Sequence, residues 1–413
     1  MAQDYDLIIV GGGIAGGALA TAMASAGKAV LVLEKTTEYK DIVRGELMVP
    51  WGVEEVDNLG LRDVLMDAGG HFIAVHADLG DGIVPDEAFA KPVNLALLPD
   101  IPGTLAVGHP TACDALGRSA IAAGATVLRG VREVVVTPGS QPSVAYVHEG
   151  TARDASARIV IGADGRNSVV RRQLGAELVE ETLHHWIVGL LVEDVPEWPD
   201  EVQTTGAHGD AMLFVFPQGE GRLRLYVCYA PEQKARFAGS NAERALLAAF
   251  DVPTMPHGKA ISKGTIAGPA NAFPSQTALV ETIIAPGVAL VGDAAGHLDP
   301  INGQGLAISL RDVRMVRDAL LGSDTWDEGI FEPYVEERRE RMRRLSLCAR
   351  LDGIMKSEFG QRAQRRREAI DARRASERGF LSCQAAVVVG PEKLPAEFFD
   401  EGIEAELIAM GAE

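Results

Sequence analysis

The run Gly11-Gly12-Gly13-Ile14-Ala15-Gly16 is the first stretch of the chain whose residue types and spacing can do chemistry. It fits GxGxxG, in which the first glycine makes a tight turn, the second lets backbone approach a pyrophosphate, and the third allows close helix-strand packing. Gly11, Gly13 and Gly16 hold those positions, with Ile14 and Ala15 between them, and the N-terminus of the helix that follows offers unpaired N–H groups and a positive dipole to phosphate. Glu34, followed by Lys35, ends the next apolar run, where an acid can accept both hydroxyls of an adenosine ribose. The motif alone is weak evidence. Its place after an apolar strand and before a helix, with Glu34 downstream, makes it a dinucleotide site.

Other chemistries find less support. There is no GxSxG elbow, and among nine histidines only His184-His185 are adjacent, too close for a helical metal face. That pair reads as a loop or strand edge. Cys113, Cys228, Cys348 and Cys383 lie far apart with no CxxC, as buried thiols in a reducing compartment do. No metal site is expected.

These residues need a scaffold. Leu7-Ile8-Ile9-Val10 reads as a buried parallel strand, Gly11 to Gly17 as the turn, Ala18 to Ala26 as a helix, and Ala29 to Leu33 as the second strand. Further nucleotide-fold elements are a helix over 112–123, strands over 125–128, 131–136, 158–162 and 288–292, and a helix over 303–321. Between 180 and 275 the texture changes to β-patterned runs punctuated by prolines, a mostly antiparallel inserted sheet. From Glu332 helices dominate. Arginines cluster at 338–344 and 365–374, but interspersed Glu336, Glu337, Glu340, Glu368 and Asp371 favour a solvated, salt-bridged face over a membrane or nucleic-acid surface.

The expected fold class is therefore α/β. A Rossmann-like domain spans 1–75, 100–178 and 276–335, a β-sheet substrate domain 76–99 and 179–275, and a helical region 336–413. Four hundred and thirteen residues suffice for two or three domains. A net charge of −19 disfavours phosphate backbones as partners, so no nucleic acid is expected. No apolar run approaches the roughly 20 residues of a bilayer span, and Met1 leads into Asp4-Tyr5-Asp6 without a basic leader. A cytoplasmic protein without stable membrane insertion is expected; oligomeric state stays open.

Two more segments add a resemblance. Ile161-Gly162-Ala163-Asp164-Gly165-Arg166 resembles the DG segment of flavoprotein monooxygenases, and Val291-Gly292-Asp293-Ala294-Ala295-Gly296 with Gly303-Gln304-Gly305 resembles their GD segment. With the GxGxxG turn, in order and at the expected spacing over the first 320 residues, the chain resembles FAD-dependent monooxygenases of the para-hydroxybenzoate hydroxylase fold. The resemblance implies that Gly292-Asp293 meets the ribitol of FAD. It also implies that the backbone of Gly303, Gln304, Gly305 and Leu306 faces the pyrimidine edge of the flavin, and that Pro300 lies against the flavin face. Asp164 and Gly165 would link flavin binding to the nicotinamide donor, and Arg44 would reach toward the flavin. Pro300 and Arg44 are the implied catalytic positions.

The implied activity uses FAD, NADPH or NADH, and O2 to hydroxylate or epoxidise a small organic substrate, aromatic or polyketide-like, through a flavin C4a-hydroperoxide. Departures point elsewhere. Gly296 stands where many hydroxylases carry His, with His297 one later, and Ala307 replaces a common Asn. Both variants, with Phe214-Val215-Phe216-Pro217, resemble the halogenase and geranylgeranyl-reductase branches, so reduction of isoprenoid double bonds is the alternative. Halogenation is disfavoured because no Lys lies between Lys40 and Lys91 and Trp51, Trp186, Trp198 and Trp326 are isolated. Phe214 and Phe216, on one face of a strand, and Tyr226 are candidates for the substrate pocket.

Overall fold

A computed structural model describes residues 4–43 and 45–411; Arg44 lies outside the described residues. Its organising layer is a sheet in the order Ile284–Ala285, Val288–Leu290, Thr151–Gly162, Tyr5–Val10, Val30–Glu34 and Thr126–Arg129. All neighbours from Val288–Leu290 to Thr126–Arg129 are parallel. Parallel strands are buried on both faces, which is why Leu7, Ile8 and Ile9 are continuous apolar residues with no exposure. The chain crosses from Tyr5–Val10 to Val30–Glu34 on one side, while Thr151–Gly162 sits on the other. The strand order reverses at Tyr5–Val10, where such sheets open a ligand crevice at their C-terminal ends.

The helix after the first strand is Ile14–Ser25, so the turn is only Gly11–Gly13 and not the longer Gly11–Gly17 expected. Gly16 and Gly17 belong to the helix because they are packing glycines: a Cβ on Gly17 would fall 2.9 Å from Leu116 Cβ on the His109–Ala122 helix. Thr151–Gly162 is also longer than its apolar end. Its polar first half pairs antiparallel with Ser143–His148, where backbone pairing needs no buried face.

A second sheet runs in the order Thr265–Ile266, His185–Glu193, Arg222–Tyr229, Ala211–Gly219, Val202–His208, Val75–Gly80 and Val93–Asn94. Most pairs are antiparallel, but Val202–His208 lies parallel to Val75–Gly80. Neither of these two strands stands out in the sequence: Val202–His208 reads Gln, Thr, Thr, Gly, Ala and His after its first residue, and Val75–Gly80 carries His76 and Asp78. Alternation divides the faces of this sheet. Leu213, Val215, Leu225, Val227 and Tyr229 pack outward with Trp198 and Phe250. Met212, Phe214, Phe216 and Cys228 pack inward with Ile301 and Ala349.

The Glu332–Lys356 and Gln361–Ser376 helices carry the arginine clusters. The expectation of a solvated face needs correction. Arg343, Arg344 and Arg373 do pair with Glu340, Glu377 and Glu406, but Arg338, Arg341 and Arg366 are 3%, 2% and 2% exposed. Helical spacing turns them inward, Arg338 and Arg341 toward Asp312 and Arg366 toward Glu358 and Ile354 O. Among the described residues, no helix is long and apolar enough to cross a membrane.

Candidate functional site

The C-terminal end of the first sheet and the inward face of the second enclose one cavity of about 900 Å³. At its first-sheet end lie Gly11, Gly13, Ile14, Ala15, Glu34, Lys35, Asp164, Gly165, Asp293, Pro300, Gly303, Gly305 and Leu306. Phe214, Phe216 and Tyr226 line the other end. Gly16, Gly292 and Gln304 are not on the wall, and each has a structural occupation. A Cβ on Gly16 would lie 1.9 Å from Gly11 O, so this glycine lets the helix sit against the strand. Gln304 is 2% exposed; its Oε1 accepts from Trp51 Nε1 at 2.8 Å and its Nε2 donates to Asn302 O at 2.7 Å.

The first end is built for a ligand that approaches backbone. A Cβ on Gly13 or Gly305 would meet nothing within 4 Å. Each glycine stands at a helix start, before Ile14–Ser25 and opening Gly305–Leu321, where first-turn N–H groups lack intrahelical acceptors. Two cradles that a side chain would fill thus face one cavity with positive helix ends, which suits the diphosphate and the electron-poor ring edge of FAD. Glu34 is 6% exposed, and its oxygens accept from Gly12 N and Thr36 N, both at 2.6 Å. Glu34 therefore clamps the glycine turn.

Asp164 accepts from Ser168 Oγ and from the N–H groups of Val169 and Val170, shaping the turn at the cavity wall. Asp293 pairs with Arg166 Nε at 3.2 Å. Beneath them lies a layer that sequence reasoning missed. Asp312, fully buried, accepts from Gly292 N at 2.9 Å, Arg338 Nε at 3.0 Å and Arg341 Nη2 at 2.7 Å. Burial pushes its carboxyl up, but the two guanidiniums prevail and hold it below the usual range. Arg338 Nη2 also donates to Gly296 O at 3.0 Å. The only sequence signal is an acid among the mostly apolar inward positions of the Gly305–Leu321 helix, where Ser309 and Arg311 are also buried.

The structure also accounts for the departures at Gly296 and Ala307. Gly296 has φ 102°, and a Cβ there would lie 2.9 Å from Ala278 O on the paired strand, so no His fits. His297 lines the cavity instead. At Ala307, the Cβ packs against Gly52, where an added Cβ would lie 2.6 Å away, so this helix contact is made by two small residues.

At the second end, Phe214 stands opposite Tyr226 in register, with the Phe214 and Phe216 ring centroids 5.8 Å apart. Tyr226 faces Gly189 across the sheet, and a Cβ on Gly189 would strike its ring at 2.5 Å. One carboxyl that the sequence did not single out joins this wall. Glu46 is 3% exposed and lines the cavity; its Oε2 accepts from Tyr226 Oη at 3.0 Å and its Oε1 from Arg224 Nη2 at 2.7 Å. The same Nη2 donates to Asp41 at 2.6 Å, while Arg224 Nε and Nη1 meet no partner among the described residues. Arg224 thus gives Glu46 one shared hydrogen bond, not a bidentate pair. Burial outweighs that attraction, Asp41 adds repulsion, and the Glu46 carboxyl is pushed up to about 7.

Near Pro300, His185 has no exposure and lies 3.7 Å from Asp299, which accepts from Ser275 Oγ at 2.8 Å. Burial holds the His185 imidazole down at about 4. Among the described residues no group of His, Cys, Asp and Glu could hold a metal ion.

A family described as "FAD binding domain" matches residues 4–347. Squalene epoxidase 3 of Arabidopsis thaliana is 26% identical over 326 residues, covering 77% of this chain and 60% of that protein. The chain thus spans less than two thirds of that relative's length. Menaquinone reductase of Mycobacterium tuberculosis is 26% identical over 328 residues, 77% of each chain. In fold, the chain is similar to p-nitrophenol 4-monooxygenase from Pseudomonas putida, with a TM-score of 0.77 at 18% identity over 95% of this chain and 98% of the other.

Proposed function

The chain belongs to the FAD binding domain family, and on that premise we propose that it is an NAD(P)H- and O2-dependent flavin monooxygenase that hydroxylates or epoxidises a small organic molecule. The observation that carries the reading is the single cavity joining a backbone-lined end to an aromatic end. FAD, when bound, supplies the reduced ring that reacts with oxygen. This chain's residues bind, orient and enclose. In this reading Gly11, Gly13, Ile14 and Ala15 receive the diphosphate, and Glu34 takes the adenosine ribose with Lys35 beside it. Asp293 takes the ribitol, and the backbone at Gly303, Gly305 and Leu306 takes the pyrimidine edge. Gln304 contributes backbone only, since its side chain is engaged with Trp51. Pro300 covers one face of the ring, and Asp164 with Gly165 shapes the approach of NADH or NADPH. Phe214 and Phe216 shield the oxygen-transfer region from water.

The same reading assigns 1–75, 100–178 and 276–335 to the cofactor domain and 76–99 with 179–275 to the substrate domain. Four buried free cysteines support a reducing, cytoplasmic setting. One observation favours a second reading. The similarity to a menaquinone reductase, even over both chains, supports a reductase working with the same cofactor, the alternative of isoprenoid double-bond reduction.

Oxygen separates the two. The purified protein should be yellow and release FAD on denaturation. Donor oxidation, measured with oxygen uptake across phenolic and isoprenoid compounds, should consume oxygen together with NADH or NADPH. Donor and substrate consumption without oxygen uptake would replace the first reading with the second. Colourless protein that gains no flavin spectrum on adding FAD would sink both.

A further inference from the structure

We propose that Glu46, with Tyr226, is an oxygen-recognising subsite of the substrate cavity whose protonation state selects between ligands that donate a hydrogen bond and ligands that only accept one. The inference rests on the reading of the aromatic end as the substrate site. Its first support is geometric. Phe214, Phe216, Ile187 and Phe273 make an apolar patch of that wall, with the Glu46 carboxyl and the Tyr226 hydroxyl set beside it; the cavity's other polar groups, among them His76, Asp78, Gln203, Thr205, Asp352, Lys356 and Arg374, come from other strands and helices. A substrate with one oxygen on an apolar skeleton leaves that oxygen unpaired unless it meets such a group, at a cost of about 1–3 kcal/mol.

The second support is the asymmetry of the Glu46 partners. Arg224 is always a donor, so Oε1 accepts in both protonation states. A proton on Glu46 therefore resides on Oε2, the oxygen shared with Tyr226. Ionised, Glu46 accepts a hydrogen bond from a phenolic or enolic hydroxyl; neutral, it donates one to a ketone or quinone carbonyl. No proton is lost or gained by the ligand in either case. The groups set against Glu46 among the described residues are Arg224 and Tyr226 from the Arg222–Tyr229 strand, Asp41 from the loop after Val30–Glu34, and His109, packed against the neighbouring Gly45. With the carboxyl pushed up to about 7 by burial, both forms are populated near neutrality.

The test is ligand binding to the oxidised, FAD-loaded protein without any nicotinamide donor, read from perturbation of the flavin spectrum. The probes are 2-naphthol, whose oxygen donates, and 2-tetralone, whose carbonyl only accepts. Between about pH 6 and about pH 8 the ionised fraction of a group titrating near 7 rises roughly tenfold. The 2-naphthol affinity should rise by about that factor, and the 2-tetralone affinity should fall by about the same. Glu46→Gln should flatten both profiles, and Glu46→Asp should restore their signs. Tyr226→Phe should move both midpoints to higher pH, because the lost hydroxyl favoured the ionised form. His76, His109 and His297, also on the wall, remain in every variant, so they cannot explain a slope that Glu46→Gln removes. Parallel profiles for the two probes, or slopes that survive Glu46→Gln in a protein still yellow and folded, would overturn the proposal. Because no turnover is involved, failure of oxygen uptake would count against the monooxygenase reading and leave this one standing.

Discussion

The glycine turn at Gly11–Gly13 and the aromatic wall at Phe214–Tyr226 face the same cavity but are built by opposite means. The turn presents backbone. Its residues are chosen for what they lack: a Cβ at Gly16 would collide with Gly11 O, and one at Gly13 would stand in open space on the cavity wall. The wall presents side chains, and its shape depends on which strands pair and in what register, as when Gly189 makes room for Tyr226. Ligand recognition by backbone constrains residue type at fixed local spacing. Recognition by side chains constrains only what arrives from distant segments.

Substitutions can break this contrast. The largest effect is expected beneath the first region, at Asp312. Asp312→Ala leaves Arg338 buried without its carboxylate and Arg341 with Glu337 alone, and breaking a buried pair typically costs about 3–5 kcal/mol. Chemical denaturation should show that loss together with loss of bound FAD, because Gly292 N loses its acceptor. A fall below about 1 kcal/mol would mean that the two arginines find other partners.

Gly16→Ala comes next. Forcing a methyl group to within 1.9 Å of a carbonyl oxygen should cost about 1–3 kcal/mol, as overpacking generally does, and should weaken FAD retention. Retention of FAD at the parent's affinity would show that the helix can slide without disturbing the turn.

Phe216→Ala probes the other region. FAD should stay bound, and stability should fall by less than the roughly 3–5 kcal/mol of a Phe→Ala change in a closed core, because Phe216 faces the cavity. The hydrogen peroxide released per donor oxidised should rise as water enters. Unchanged peroxide with lowered stability would make Phe216 ordinary core. Together, these last two variants test whether cofactor retention and coupling separate by region.

The smallest expected effect is a pH slope at the junction of the two regions. Burial depresses His185 from 6.5 to about 4, so the unfolded chain takes up a proton that the folded chain refuses. The stability that depends on neutral His185 is present above pH 6.5 and is lost as pH falls toward 4. Denaturation midpoints for the parent should drop more steeply across that window than for His185→Asn. Equal slopes would place the titration elsewhere.

Much of the first region is legible in the amino-acid sequence. The GxGxxG turn, Glu34 and the Asp164 and Asp293 segments are local patterns; Gly11, Gly13, Glu34, Asp164 and Asp293 line the cavity, whereas Gly16, Gly292 and Gln304, read from the same patterns, do not. The helix starts earlier than residue type suggests, because Gly16 and Gly17 are turn-like by type while their packing role depends on Gly11 and Leu116. Alternation assigns Phe214 and Phe216 to one face, but not to the cavity side of the sheet.

By itself the sequence determined a parallel βαβ start, a backbone-lined dinucleotide turn and the order of the cofactor segments, because strand and helix periodicity and glycine freedom act over a few residues. Only the tertiary structure decided that Arg338 and Arg341 are buried beneath Gly292, that Gly296 excludes a histidine, and that Glu46 meets Tyr226 and Arg224 from far along the chain. Such groups take their charge and their partners from burial and cross-sheet register, and neither is a property of any short stretch of residues.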